Sequence, residues 1–249
     1  MIVRKSAAEI EIMREAGRVS ARALRLVGEA VGAGVTTAQL DQIAETAIRE
    51  DGGVPAFKGY HGFPKTLCTS INHQVVHGIP SELVKLREGD IVSVDVGAIV
   101  DGYYGDNAAT FPVGSVSDEA QRLLLATASS LEAGIEQARA GNHLFDIGAA
   151  VQRVAEEAGF SVVREYVGHG IGRNMHEDPN VPNYGTAGKG PRLEIGMVLA
   201  IEPMVNAGGI EVDALPDGWT VVTRDNKLSA HFENTVAITA EGPSILTKE

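Results

Sequence analysis

GDIVSVDVGAIVDGYYGDNAATF, residues 89–111, is the stretch on which the reading of this chain turns. Val92, Val94 and Val96 alternate with Ser93, Asp95 and Gly97, the period-2 pattern of a strand with one apolar face. Asp101-Gly102 is a preferred dipeptide for a two-residue hairpin turn, which predicts cross-strand partners whose numbers sum to 203, as 101 and 102 do. Asp95 then faces Ala108, and Asp106 faces Gly97. Both carboxylates lie on one side of the sheet as diagonal neighbours, roughly 7 Å apart at the backbone. The small residues opposite each acid leave room for a bound group. Carboxylates gathered so closely repel one another and resist desolvation unless a cation neutralises them, so a metal is the natural occupant.

Composition bounds what surrounds this hairpin. With 249 residues, 44% hydrophobic and 22% charged, the chain has ample material for a globular core. Its net charge of -12 argues against broad electrostatic binding to nucleic acid or an anionic membrane surface. The N-terminal MIVRKSAAEIEIMRE is broken by charges and lacks the apolar core of a signal peptide. No apolar run reaches the length of a membrane span. The single Cys68 permits no internal disulfide, which fits a reducing cytosol.

Upstream, Ser6 with Glu9 forms a capping box for a helix carrying Ile10, Met13, Ala16, Ala21 and Leu24. Thr36 with Gln39 opens a second helix that ends at Gly52-Gly53. Downstream of Ser117 the plan starts again. One helix runs through Leu123, Leu124, Leu131 and Ile135, and a shorter one through Ile147, Val151 and Val154. A strand at Val162 and Val163 then leads to the histidine loop GHGIGRNMHEDP. His77-Gly78-Ile79 recurs as His169-Gly170-Ile171, and LREGDIVSVD, ending at Asp95, recurs as LEIGMVLAIE, ending at Glu202. A duplicated unit of two helices, a histidine loop and an acid-ending strand accounts for both. Between Glu202 and Glu233, Gly208-Gly209 and Asp217-Gly218 read as hairpin turns. The last strand, SAHFENTVAI, sets His231, Glu233 and Thr235 on one face and Phe232, Asn234 and Val236 on the other.

Asp95, Asp106, His169, Glu202 and Glu233 offer four carboxylates and one imidazole. One cation cannot use four carboxylates without excess negative charge, so the set suits two divalent ions bridged by carboxylates and water. Mostly hard oxygen donors point to manganese, iron(II) or cobalt over a thiolate zinc site, with zinc left open.

The motifs YHGFPKTLCTSINHQVVHGIP, VDVGAIVDGYYGDNAATF, GHGIGRNMHEDPNVPNYG, AIEPMV and AHFENTVAI together resemble the type I methionine aminopeptidases in their short bacterial form, over essentially the whole chain. The resemblance implies an α+β pita-bread fold, two pseudo-symmetric halves of antiparallel sheet with helices packed outside and a dinuclear metal site between them. The chain is then one catalytic domain, residues 1–249, with halves near 6–115 and 116–245. It implies Asp106 and Glu233 as bridging ligands, Asp95 on the first ion, and His169 with Glu202 on the second. Glu202 is then general base and acid for a hydroxide shared by the metals, His176 donates to the oxyanion, and His77 contacts the scissile nitrogen. A methionine pocket would be formed by Phe57, Tyr60, Phe63, Cys68, Met175 and Trp219, with His61 near the mouth. Backbone carbonyls of Asn72, His73 and Ser229 would hold a monovalent cation, sodium or potassium. The implied activity is removal of N-terminal methionine from nascent polypeptides whose second residue is small. It would be carried out by a cytoplasmic monomer in contact with the ribosome.

This chain departs from the family pattern at Phe57 and Met175 in the pocket. It departs again at His231 and Asn234, which flank Glu233 where the family usually has Gln and His. Two other readings use the same residues: an Xaa-Pro aminopeptidase or prolidase, and a non-hydrolytic binding module that kept the fold.

Overall fold

The computed structural model describes residues 1–248. Four helices, α1 (Ala7–Ala30), α2 (Thr37–Glu50), α3 (Asp118–Gln137) and α4 (Leu144–Glu157), lie outside a curled antiparallel sheet. The first half of the chain contributes β1 (Val54–Pro55), β2 (Leu67–Ile71), β3 (Gln74–Val76), β4 (Ile91–Val100) and β5 (Tyr103–Pro112). After α4 come β6 (Ser161–Val162), β7 (Gly168–Gly170), β8 (Glu177–Val181), β9 (Val198–Ile201) and β10 (Met204–Asn206). The chain ends in β11 (Val212–Ala214), β12 (Val221–Thr223), β13 (Ser229–His231), β14 (Glu233–Thr239) and β15 (Gly242–Ile245). The main sheet runs β1-β4-β5-β14-β9-β7-β8, with β2 also on β4 and β15 also on β14. Two three-stranded sheets, β13-β10-β6 and β11-β12-β3, flank it.

Both predicted capping boxes are present, at Ser6 with Glu9 and at Thr36 with Gln39. The hairpin forms as predicted. Asp101 and Gly102 take φ of 48° and 76°, the left-handed values a type I′ turn needs, and Asp95 pairs with Ala108 and Gly97 with Asp106. The two faces of the sheet then divide cleanly. Val92, Val94, Val96 and Leu67 pack with α1 and α2, and Leu199 and Ile201 pack with α3 and α4. On the helix face Gly105 of β5 meets Gly17 of α1 so closely that a Cβ on Gly105 would lie 2.5 Å from the Gly17 nitrogen. The alternate residues point to the concave side.

Three expectations are corrected. SAHFENTVAI is not one strand: β13 ends at His231 and pairs with β10, whereas β14 begins at Glu233 and pairs with β5 and β9. The chain changes sheets at Phe232, whose N–H bonds the Pro203 carbonyl, a partner remote in sequence. Gly208-Gly209 is not a hairpin turn either, because it joins β10 and β11, which belong to different sheets; Asp217-Gly218 does lie in the β11–β12 hairpin loop. The space opposite Asp106 is also not free. A Cβ on Gly97 would come within 2.8 Å of both Ala56 Cβ and the Phe57 ring, so that glycine lets the chain after β1 lie against the sheet floor.

Candidate metal centre

Three adjacent rows of side chains cross the concave face. In the first, Gly97, Asp106, Thr235, Ala200 and His169 follow one another from β4 to β7. The link from Asp106 to Thr235 is made by the Thr235 hydroxyl, which accepts from Asp106 N–H at 3.0 Å and donates to its carbonyl at 2.8 Å. The second row is Cys68, Asp95, Ala108 and Glu233, with Glu202 one residue beyond the end of β9. Ala108 therefore stands between Asp95 on one neighbouring strand and Glu233 on the other. The third row is Ser70, Ser93, Thr110 and His231. Here Thr110 Oγ1 donates to the His231 carbonyl and accepts from the His231 N–H, both at 2.9 Å. Its only proton is thus used, so Ser93 is the donor in their 2.8 Å hydroxyl contact.

All five expected ligands line one cavity of about 240 Å³, together with His77, His176 and every expected pocket residue. Asp106, His169 and Glu233 are buried, and Asp95 and Glu202 are partly open to the cavity. Burial first, and the neighbouring acids after it, raise the carboxyls of Asp95, Glu202 and Glu233 well above their usual range; burial pushes Asp106 up to about 7. Among the described residues no lysine or arginine is ion-paired with any of the four. Oδ1 of Asp95, Oδ1 of Asp106 and Oε1 of Glu233 are buried without a hydrogen-bond partner. Donor atoms of Asp106, His169 and Glu233 lie within 4.8 Å of one another, and so do those of Glu202, His231 and Glu233. Orphaned carboxylate oxygens aimed at a common space, with no cationic side chain nearby, fit divalent cations.

His169 is set up to ligate. Its Nδ1 lies 2.9 Å from the Gly170 carbonyl, which can only accept, so Nδ1 carries the proton and Nε2 presents a bare lone pair to the cavity. Burial, then His176, lowers its pKa to about 4, so the ring is neutral. Nε2 stands 3.5 Å from Glu202 Oε1. His77, with a left-handed φ of 62°, is lowered to about 4 by burial and then by His176. His176 is lowered by burial and then by His61, and its Nδ1 is 2.8 Å from the Tyr60 hydroxyl.

Phe57, Phe63, Cys68 and Met175 are buried in one apolar cluster, with Tyr60 and Trp219 packed against it and the Phe63 and Trp219 rings edge-to-face at 5.0 Å. Burial raises the Cys68 thiol, which stays protonated. Asn72, His73 and Ser229 also come together: Ser229 N–H donates to the Asn72 carbonyl and Thr223 N–H to that of His73. The Thr223 hydroxyl also lies 3.4 Å from the His73 carbonyl, whereas the Asn72 carbonyl accepts from Ser229 N–H at 2.8 Å.

Two residues beside Glu233 separate sharply. Asn234 points away from the cavity and bonds Thr247 Oγ1 at 2.9 Å. His231 turns toward Glu202 instead, buried, with Nε2 unpartnered and 3.5 Å from Glu202 Oε2. The sequence marks His231 only as a departure from the family pattern; its place two residues before Glu233, on the same face in the alternation, is the signal for more. Thr110 and Thr235 gave no such signal, because their roles exist only once β5 meets β13 and β14.

Fold and site together define a metal-dependent hydrolase of the pita-bread class. The model of metallopeptidase family M24 matches residues 11–240, and the chain belongs to that family. It is 54% identical over 247 residues to a methionine aminopeptidase of Clostridium perfringens, covering 99% of each chain, and 52% identical to methionine aminopeptidase 1 of Bacillus subtilis, covering 100% of each. Among solved structures, methionine aminopeptidase from Thermotoga maritima superposes with a TM-score of 0.99 at 46% identity, covering 100% of each chain. A prolidase from Pyrococcus furiosus, 24% identical with a TM-score of 0.80, shares the fold; the chain covers 66% of it.

Proposed function

We propose that this protein removes N-terminal methionine from peptides and nascent proteins, as one catalytic domain built from two related halves, 6–115 and 116–245. The observation that carries the reading is a single cavity in which a methionine-sized apolar wall meets four carboxylates and the imidazoles of His77, His169 and His176. A thioether packs well against aromatic rings and polarizable sulfur, which Phe57, Phe63, Trp219, Cys68 and Met175 supply. The names of the relatives support the same substrate.

Asp95, Asp106, His169, Glu202 and Glu233 would hold two divalent ions (cobalt, manganese, iron(II) or zinc), which supply Lewis acidity and lower the pKa of water. Glu202, flanked by imidazoles and partly open to the cavity, takes the proton from the attacking water and returns it to the leaving amine. With Tyr60 donating to Nδ1 of His176, Nε2–H is left to donate to the oxyanion as the carbonyl becomes tetrahedral. His77, kept neutral by burial, contacts the scissile nitrogen. The rings of Tyr60 and His61 are 4.3 Å apart and Tyr60 reaches His176, crowding the mouth and favouring a small second residue. Carbonyls of Asn72, His73 and Ser229 would hold sodium or potassium. The reading extends to a monomer working in the cytoplasm on chains leaving the ribosome. Among the described residues no helix is long and apolar enough to cross a membrane.

The deciding experiment adds manganese or cobalt to metal-stripped protein and offers Met-Ala-Ser, Met-Leu-Ser and an Xaa-Pro peptide. Release of free methionine from Met-Ala-Ser, much faster than from Met-Leu-Ser, is expected. No release from any peptide with metal demonstrably bound would favour a binding module, and cleavage of Xaa-Pro alone a prolidase.

A further inference from the structure

The two oxygens of Glu202 face two different imidazoles at the same distance. Oε1 is 3.5 Å from His169 Nε2 and Oε2 is 3.5 Å from His231 Nε2. That separation is too long for a good N–H···O hydrogen bond. It is close to the spacing of two atoms bound to one cation: ligands about 2.1 Å from a tetrahedral ion stand about 3.4 Å apart. His231 has the other marks of a ligand. It is 1% exposed, its Nε2 has no hydrogen-bond partner, and its backbone is clamped on both sides by Thr110 Oγ1. Its Nε2, a Glu202 oxygen and a Glu233 oxygen lie within 4.8 Å of one another.

We propose that His231 is a sixth protein ligand of the metal centre, giving the Glu202–Glu233 side a second nitrogen donor beside His169. The inference rests on the peptidase reading only for the presence of divalent ions. A second imidazole moves the donor set away from hard oxygen, so the centre discriminates in favour of cobalt, zinc or iron(II) and against manganese more than five ligands would. Glutamine, the family's usual residue here, could donate a hydrogen bond to Glu202 but offers no ring nitrogen.

X-ray absorption on the cobalt-loaded wild-type protein counts imidazoles without any variant: two per pair of ions are expected, and one would overturn the proposal. In His231→Gln the count should fall to one. The Kd of the weaker-bound cobalt, read by calorimetry, should rise by at least the ~10–100-fold that even an outer-shell partner costs. Manganese affinity should fall less. Unchanged cobalt affinity and an unchanged imidazole count in a folded His231→Gln protein would also overturn it, and His231→Asn gives the same reading if the glutamine variant does not fold. None of these measurements uses peptide cleavage, so failure of the peptidase reading leaves them intact. Methionine release with one imidazole would refute this inference alone.

Discussion

The β4–β5 hairpin and the segment from Ser229 to Thr239 both deliver donors to the cavity, but they hold them by different means. In the hairpin, two unbroken ten-residue strands joined by a local turn fix Asp95 and Asp106 through ordinary ladder pairing. The later segment switches sheets at Phe232, and His231 and Glu233 fall on opposite sides of the break. Across the seam, side-chain hydroxyls extend the register: Thr110 grips His231, and Thr235 grips Asp106. The lesson is that the hairpin's geometry is local, while the seam depends on two threonines reaching across strands.

The sharpest way to break this comparison is to remove one acid from each region. Asp106→Asn and Glu233→Gln should each lower turnover of Met-Ala-Ser by more than about 100-fold, beyond the usual cost of an outer-shell partner. A variant keeping half its activity would show that its region does not build the centre.

A second effect comes from charge. The buried acids have pKa values raised above their unfolded values, so the folded metal-free protein binds more protons than the unfolded chain. Stability is then fully present below the unfolded pKa of Asp106, 3.8, and is lost as pH rises through its folded value of about 7. Asp106 contributes up to about 1.4 kcal/mol per pH unit in that window. Urea titrations of metal-free protein should show a midpoint that falls from pH 5 to pH 8, and added cobalt should flatten the trend. A midpoint rising with pH in the absence of metal would contradict the raised values.

Thr110→Val and Thr235→Val test the seam itself. Each removes a hydroxyl that satisfies a buried backbone N–H and carbonyl, and should cost about 1–3 kcal/mol in chemical denaturation. Thr235→Val should disturb Asp106 and Thr110→Val should disturb His231; equal stability of both variants and wild type would mean the ladder needs no such clamps. The smallest effect belongs to Asn234→Ala. With its side chain turned to Thr247, it should lose about 1 kcal/mol or less and leave metal affinity unchanged.

The same contrast explains what could be read from residues alone. The hairpin register, the two capping boxes and the placing of Asp95 and Asp106 on one face follow from short-range patterns: Asp-Gly at a turn, alternation along a strand, Ser or Thr three residues before Glu or Gln; the joining of Glu202 and His169 to them was legible through the repeated strings of the two halves. The break at Phe232 and the corner at Gly208-Gly209 follow from which distant strand offers a partner, and nothing in SAHFENTVAI or VNAGGIE carries that choice. His231 was visible on the right face, but its meaning required the position of Glu202, which arrives from β9. Gly97 was legible as a small residue; that its space is filled by Phe57 depends on where β1 lies.

A single methyl group, that of Ala108, separates Asp95 from Glu233 across three strands. The spacing between the two acids is therefore two strand widths, about 10 Å at the backbone, with only a methyl group filling the ground between them. A larger side chain at position 108 would press on both acids at once from the strand between them while leaving every donor atom in place.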